Sequence, residues 1–245
     1  MTEPVWLFGL HAVRDALANP AREKLRLVLT RNAADRLAED LSAAAIAPEI
    51  VDARSFAKVV PLAPDSVHQG AALEVRPLAW GRLEDVALAP RPGRPLVVAL
   101  DRVTDPHNVG AILRSAEVFG AQAVVAPARH SAPETGALAK SASGALERQP
   151  YLRVTNLSDA LDRLRSLGFV LVGLDGTGDR TLPDLLGALP GAPICLVLGA
   201  EGPGMRDKTV ATCDHVVRIP SASDFGSLNV SNAAAVALFA ARQAD

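Results

Sequence analysis

Ser227-Leu228-Asn229-Val230-Ser231 runs straight into an alanine-rich helical segment near the C-terminus. It is the last of three polar loops that each follow an apolar stretch of strand length. The first is Asp105-Pro106-His107-Asn108-Val109-Gly110, with Arg114 one turn further on. The second is Gly199-Ala200-Glu201-Gly202-Pro203-Gly204. Any one alone is ordinary loop-to-helix chemistry. All three in this order point to one site.

Outward from these loops, apolar segments near 96–100, 122–126, 152–154, 170–173, 194–198 and 216–219 alternate with helical patterns. They lack the polar alternation of a half-exposed antiparallel sheet. The pattern predicts an α/β fold, a parallel sheet covered by helices on both faces. Ligands in such folds gather beyond the carboxyl ends of the strands, so the three loops should crowd one edge of the sheet.

Residues 5–76 read as a separate small α/β unit. Leu10, Val13, Arg14 and Leu17 follow a helical period, and 25–29 reads as a strand. Asn32 is placed to cap a helix through 45. A weak strand at 49–51, a short helix at 55–60 and a strand at 70–75 complete it. Pro77, Gly81, Pro90, Pro92, Gly93 and Pro95 then interrupt every periodicity, with at most one helical turn around 83–86. The expected organisation is an N-terminal domain at 1–76, a linker at 77–95 and a larger domain at 96–245.

A chain of 245 residues, 49% of them hydrophobic, can build a sizeable core. No apolar run approaches the ~20 residues a membrane helix needs, and the first residues carry no secretory pattern, so the expected location is cytoplasmic, with no membrane partner. Cys195 and Cys213 lack Cys-x-x-Cys spacing and read as buried free thiols. The five histidines are scattered, and no metal site is expected. The formal charge of −2 excludes binding to nucleic acid by bulk electrostatics alone.

Each loop admits a bland reading beside a chemical one. In a helix from 108 to 119, Val109, Ile112, Leu113, Ala116 and Phe119 share a face and Arg114 lies opposite. Arg114 is then either a solvated charge or a fixed cation set to meet a phosphate or a developing oxyanion, and Asn108 serves as an N-cap or as a site residue. The second loop has the glycine order G-x-x-G-x-G, not the dinucleotide order G-x-G-x-x-G, and a carboxylate inside it would repel a pyrophosphate. Glu201 is a loop charge, a partner of Arg114, or a group facing a cationic ligand. Asn229 with Ser231 caps the last helix, or positions a ligand.

Together these loops, with Ile219-Pro220 between the second and third, resemble the three motifs of the SpoU (TrmH) RNA ribose methyltransferases. The likeness covers the chain from Leu96 onward. The front section, with Phe8-Gly9-Leu10-His11-Ala12-Val13 and His68-Gln69-Gly70, is similar to the RNA-binding extension of the RlmB group, which methylates a guanosine 2′-hydroxyl in large-subunit ribosomal RNA.

The resemblance implies a SPOUT-type parallel sheet whose C-terminal segment forms a deep trefoil knot, which ordinary topology rules would have excluded. It also implies S-adenosylmethionine as cofactor, RNA as substrate and a homodimer through the knotted domain. Gly199, Ile219 and Leu228 are expected to line the cofactor pocket. Asn108, Arg114, Glu201, Ser227 and Asn229 are expected to form the polar catalytic site, with Glu201 holding Arg114. Ser223 stands where the family carries a glycine; at a position of positive φ a serine costs about 1 kcal/mol. The competing readings are a transfer-RNA ribose methylase and a non-catalytic RNA-binding protein of the same fold.

Overall fold

The structure, a computed structural model, describes residues 3–63, 66–222 and 228–244. In chain order the elements are β1 (Val5–Phe8), α1 (Leu10–Ala18), β2 (Lys24–Thr30), α2 (Arg31–Arg36), α3 (Ala38–Ala43), β3 (Pro48–Val51), α4 (Ala53–Val59) and β4 (Ala71–Val75). There follow α5 (Leu83–Ala87), β5 (Leu96–Asp101), α6 (Pro106–Val118), β6 (Ala123–Pro127), α7 (Gly136–Ala142), β7 (Tyr151–Val154) and α8 (Leu157–Ser166). The last are β8 (Val170–Leu174), β9 (Arg180–Thr181), α9 (Leu182–Ala188), β10 (Ile194–Gly199), α10 (Asp207–Thr212), β11 (His215–Arg218) and α11 (Val230–Gln243). The chain divides into two compact units, Met1–Ala79 with Pro133–Arg148, and Trp80–Ala132 with Gln149–Asp245.

The first unit is built on a four-stranded sheet in the order β1-β4-β2-β3, antiparallel except for the β2–β3 pair. The expected helix from Asn32 to 45 is instead two. Thr30 caps the first, its Oγ1 accepting from the amide of Ala33 at 3.3 Å, and the fully buried Leu37 interrupts it. Residues 133–148 join this unit although they lie within the span of the larger expected domain. Gly136 lets α7 press onto β1, since a Cβ there would sit 2.1 Å from the Phe8 ring.

Arg22 ties the inserted segment in. Its guanidinium, wholly buried, forks onto both oxygens of Glu147 at 3.0 and 2.7 Å and onto Glu134 at 2.6 Å. Removing one member of a buried ion cluster strands the others, at a cost of about 3–5 kcal/mol. Arg22→Ala should therefore lower the melting temperature of the first unit sharply. An unchanged melting curve would show that the segment is held by apolar packing alone.

In the second unit all seven strands are parallel, in the order β7-β6-β5-β10-β8-β11-β9. Every residue of β5 is buried, as a strand covered on both faces requires. Val97, Ala99, Val125, Leu171 and Val197 pack under Leu157, Leu161 and Leu164 of α8 on one side. On the other side α6 and α11 pack together, and α11 also covers β10 and meets α9. The six expected strands are present within a residue or two. The two-residue β9 carries no apolar run and gave no sequence signal.

Part of the segment expected as a linker is docked on the larger unit's core. Trp80 and Leu83 pack against this core, and Val86 and Ala87 of α5 are buried in it. Proline and glycine mark turns, but they do not prevent the residues between them from docking. Cys195 is buried and Cys213 partly so, both free, and burial pushes the Cys213 thiol up to about 11, far from reactivity.

Candidate active site

Strand order decides where the loops meet. β10 inserts between β5 and β8, so Gly199 at its carboxyl end lies in register with Asp101 at the end of β5. The loops that follow these two strands therefore emerge side by side. Past Gly199 the chain doubles back, with the amide of Gly204 donating to the carbonyl of Ala200 at 2.9 Å. Gly199 is required here. A Cβ on it would lie 2.1 Å from the backbone of Gly204 and Met205.

Asn108 does not cap α6. Asp105 does, its Oδ1 accepting from the amide of His107 at 3.0 Å with Pro106 in the first turn. The Asn108 side chain is thereby released from capping. Its Nδ2 donates to Glu201 Oε1 at 3.1 Å, and its Oδ1 accepts from Asn229 Nδ2 at 3.0 Å. Asn229 Nδ2 also donates to Glu201 Oε1 at 2.5 Å. One residue from each of the three loops thus closes a hydrogen-bonded triangle.

Asn229 has two tasks. While its Nδ2 serves the triangle, its Oδ1 caps α11 by accepting from the amide of Ser231 at 2.9 Å and its hydroxyl at 2.5 Å. Asn229 therefore caps α11 and joins Asn108 and Glu201 at the same time. Glu201 Oε1 takes a further contact from the Val230 amide at 3.4 Å, on the positive end of the α11 dipole.

Arg114 is not part of the triangle. It sits six residues beyond Asn108 on α6, ~9 Å along the axis, exposed, with no hydrogen bond or ion pair among the described residues. Glu201 spends its described contacts on the two asparagines and the Val230 amide and not on Arg114, so the expected Glu201–Arg114 link is absent from the single chain. Of the expected cofactor residues, Gly199 ends β10 and the half-buried Ile219 directly follows β11. Leu228, beside Asn229, leaves half its surface exposed. Ser227 and Ser223 lie outside the described residues. Among the described residues no cluster of His, Cys, Asp or Glu could hold a metal ion.

One feature escaped the sequence reading. Asp101 is wholly buried at the end of β5, and its carboxylate accepts from the Arg206 amide at 3.0 Å and from Arg206 Nε and Nη2 at 2.8 Å. A carboxylate closing an apolar strand must find a partner. That much was visible in the sequence; the identity of the partner was not.

A family model described as the SpoU rRNA Methylase family matches residues 95–239, and one described as RNA 2′-O ribose methyltransferase substrate binding matches residues 6–80. A Ralstonia nicotianae protein named 23S rRNA (guanosine-2′-O-)-methyltransferase RlmB is 40% identical over 98% of this chain and 96% of its own length. Its Pseudomonas aeruginosa namesake is 40% identical over 95% and 94%. Among solved structures, the SpoU methyltransferase AviRb from Streptomyces viridochromogenes in complex with AdoMet superposes with a TM-score of 0.77, covering 98% of this chain and 89% of that one. At 24% identity that likeness is one of fold.

Proposed function

Since the chain belongs to the SpoU rRNA methylase family, we propose that it methylates the ribose 2′-hydroxyl of a guanosine in 23S rRNA, with S-adenosylmethionine as donor. The observation that carries this reading is the triangle of Asn108, Glu201 and Asn229 at the ends of a parallel sheet. The relatives named for this reaction match nearly the whole chain, both units included.

The residues fit the cofactor. Ile219 and the half-exposed Leu228 offer apolar walls, and Gly199, by lacking a side chain, lets the turn that carries Glu201 fold back tightly at the end of β10. When bound, the sulfonium supplies an electrophilic methyl group. Arg114 acts as a fixed charge that orients an RNA phosphate and stabilises the emerging alkoxide. Asn108, Asn229 and Ser227 position the ribose, and Glu201 fixes the two amides.

The active form is a homodimer through a C-terminal domain tied in a trefoil knot. Supporting this are Val118, Val236 and Phe239, which are 71%, 42% and 52% exposed on the paired helices α6 and α11, with Phe119 edge-on to Phe239 at 6.1 Å. Asn232, where the family usually has an apolar residue, is exposed on the same face of α11 as Val236 and Phe239. Arg114 lies one helical turn from Val118, so pairing that buries Val118 carries Arg114 to the seam, within reach of the partner's site. Phe239→Glu should convert the dimer to a monomer in sedimentation and abolish methylation; an unchanged dimer would refute the assignment of this face.

The first unit selects RNA, and the second holds the cofactor. No helix among the described residues is long and apolar enough to cross a membrane, and a ribosomal substrate fits a cytoplasmic enzyme. The direct test is to map 2′-O-methyl groups in RNA from a strain lacking the gene. Loss of one guanosine mark in 23S rRNA, restored by the intact gene, is expected. An unchanged map would remove the proposal.

A further inference from the structure

Beside the triangle a cavity of about 490 Å³ opens among the loops after β5, β6 and β10. Arg102 and Thr104 line it from the first loop, His130 from the second, and Ala200, Arg206 and Asp207 from the third. None of these residues belongs to the expected catalytic or cofactor sets. Ala200 directly precedes Glu201, so the cavity shares a wall with the candidate active site.

We propose that this cavity binds a phosphodiester of the RNA strand next to the ribose being methylated. The inference rests on the RNA-methyltransferase reading and adds to it the residues that grip the backbone. Arg206 is oriented by the buried Asp101, which engages Nε and Nη2 and leaves Nη1 without a partner among the described residues. A guanidinium fixed on one edge presents the other at little entropic cost.

Arg102 and His130 are exposed, make no hydrogen bond or ion pair among the described residues, and adopt φ of +62° and +59°. Non-glycine residues are uncommon in that left-handed region, and two of them line this one cavity. The loop bearing His130 is tied down by hydrogen bonds. Arg153 donates to the carbonyls of Pro127, Ala128 and Ala132, and the Tyr151 hydroxyl donates to Ala132 at 2.7 Å. Asp207, in the first turn of α10, faces the same space, and Asp101 offsets the charge of Arg206. With two guanidiniums and two carboxylates the cavity has no large excess of charge, so its hold on a phosphodiester comes from directed guanidinium hydrogen bonds and a multiply charged pyrophosphate is disfavoured.

The test replaces Arg102 and His130 together by glycine in the full chain, because glycine accepts both backbone conformations and keeps the fold. Binding of a 23S rRNA transcript, measured across a salt series, should weaken roughly tenfold or more. The slope of log affinity against log salt should fall by about 0.7–0.9, the loss of one phosphate contact. Cofactor affinity should stay within about twofold, and the melting temperature should hold or rise. Unchanged affinity and slope would overturn the inference. So would weaker binding at an unchanged slope that depends on which base stands at the target, since the cavity would then hold a base. If the wild-type protein neither binds cofactor nor methylates the transcript, the enzymatic reading itself fails; if only the double variant behaves as wild type, this inference alone fails.

Discussion

Replacing Arg114 by alanine is expected to lower methyl transfer to rRNA roughly a thousandfold while leaving cofactor affinity within a few-fold. The side chain is exposed and unpaired among the described residues, so its removal costs the fold little. What is lost, in the proposed mechanism, is a fixed cation that meets the alkoxide. Removing a single preorganised donor from a developing oxyanion costs about 10²–10³ in rate, and loss of phosphate orientation adds to that. Arg114→Lys should recover part of the rate, since it keeps the charge but not the bidentate fork. Radiolabelled methyl incorporation and calorimetric cofactor binding measure the two quantities separately. Retention of most turnover by the alanine variant would leave the reaction without its proposed stabiliser.

Gly199→Ala should damage both stability and catalysis. The added methyl would meet main-chain atoms at 2.1 Å, and backbone cannot rotate aside as a side chain can. The turn closed by Ala200 and Gly204 must open or shift, and Glu201 lies within it. Overpacking of this kind costs about 1–3 kcal/mol. Displacing Glu201 also releases Asn108 and Asn229 from their shared acceptor. The expected result is a lower melting temperature, weaker cofactor binding and methylation reduced about a hundredfold or more. Wild-type melting together with wild-type turnover would mean that the turn is not under this constraint.

The Arg22 cluster bears on how the two units can be separated experimentally. Residues 133–148 pack with the first unit, and their Glu134 and Glu147 depend on Arg22. Deleting the front of the chain would remove Arg22 from both carboxylates. A division of labour between RNA selection and cofactor binding is therefore better tested with point substitutions than with truncations.

The order of strands and helices was written in local pattern. Apolar runs at 96–100 and 194–198 read as strands buried on both faces, and they are. The three motif loops likewise announced themselves as residue types at fixed spacing. Local pattern misassigned the caps, because Asp105 and Asn108 are both good N-cap residues and only the main-chain path decides which amide each can reach. Asp105 won, and Asn108 was left to join Glu201 and Asn229.

What the sequence by itself determined was the α/β class, the strand positions, the three loops and the residues worth suspecting, since each follows from periodicity or residue chemistry within a short window. Only the tertiary structure decided that β10 lies between β5 and β8, that segment 133–148 joins the first unit, and that Asp101 holds Arg206 beside an open cavity. Those facts depend on pairings between residues often a hundred positions apart. The free energy of such a contact depends on which surfaces meet, and no short stretch of chain contains that information.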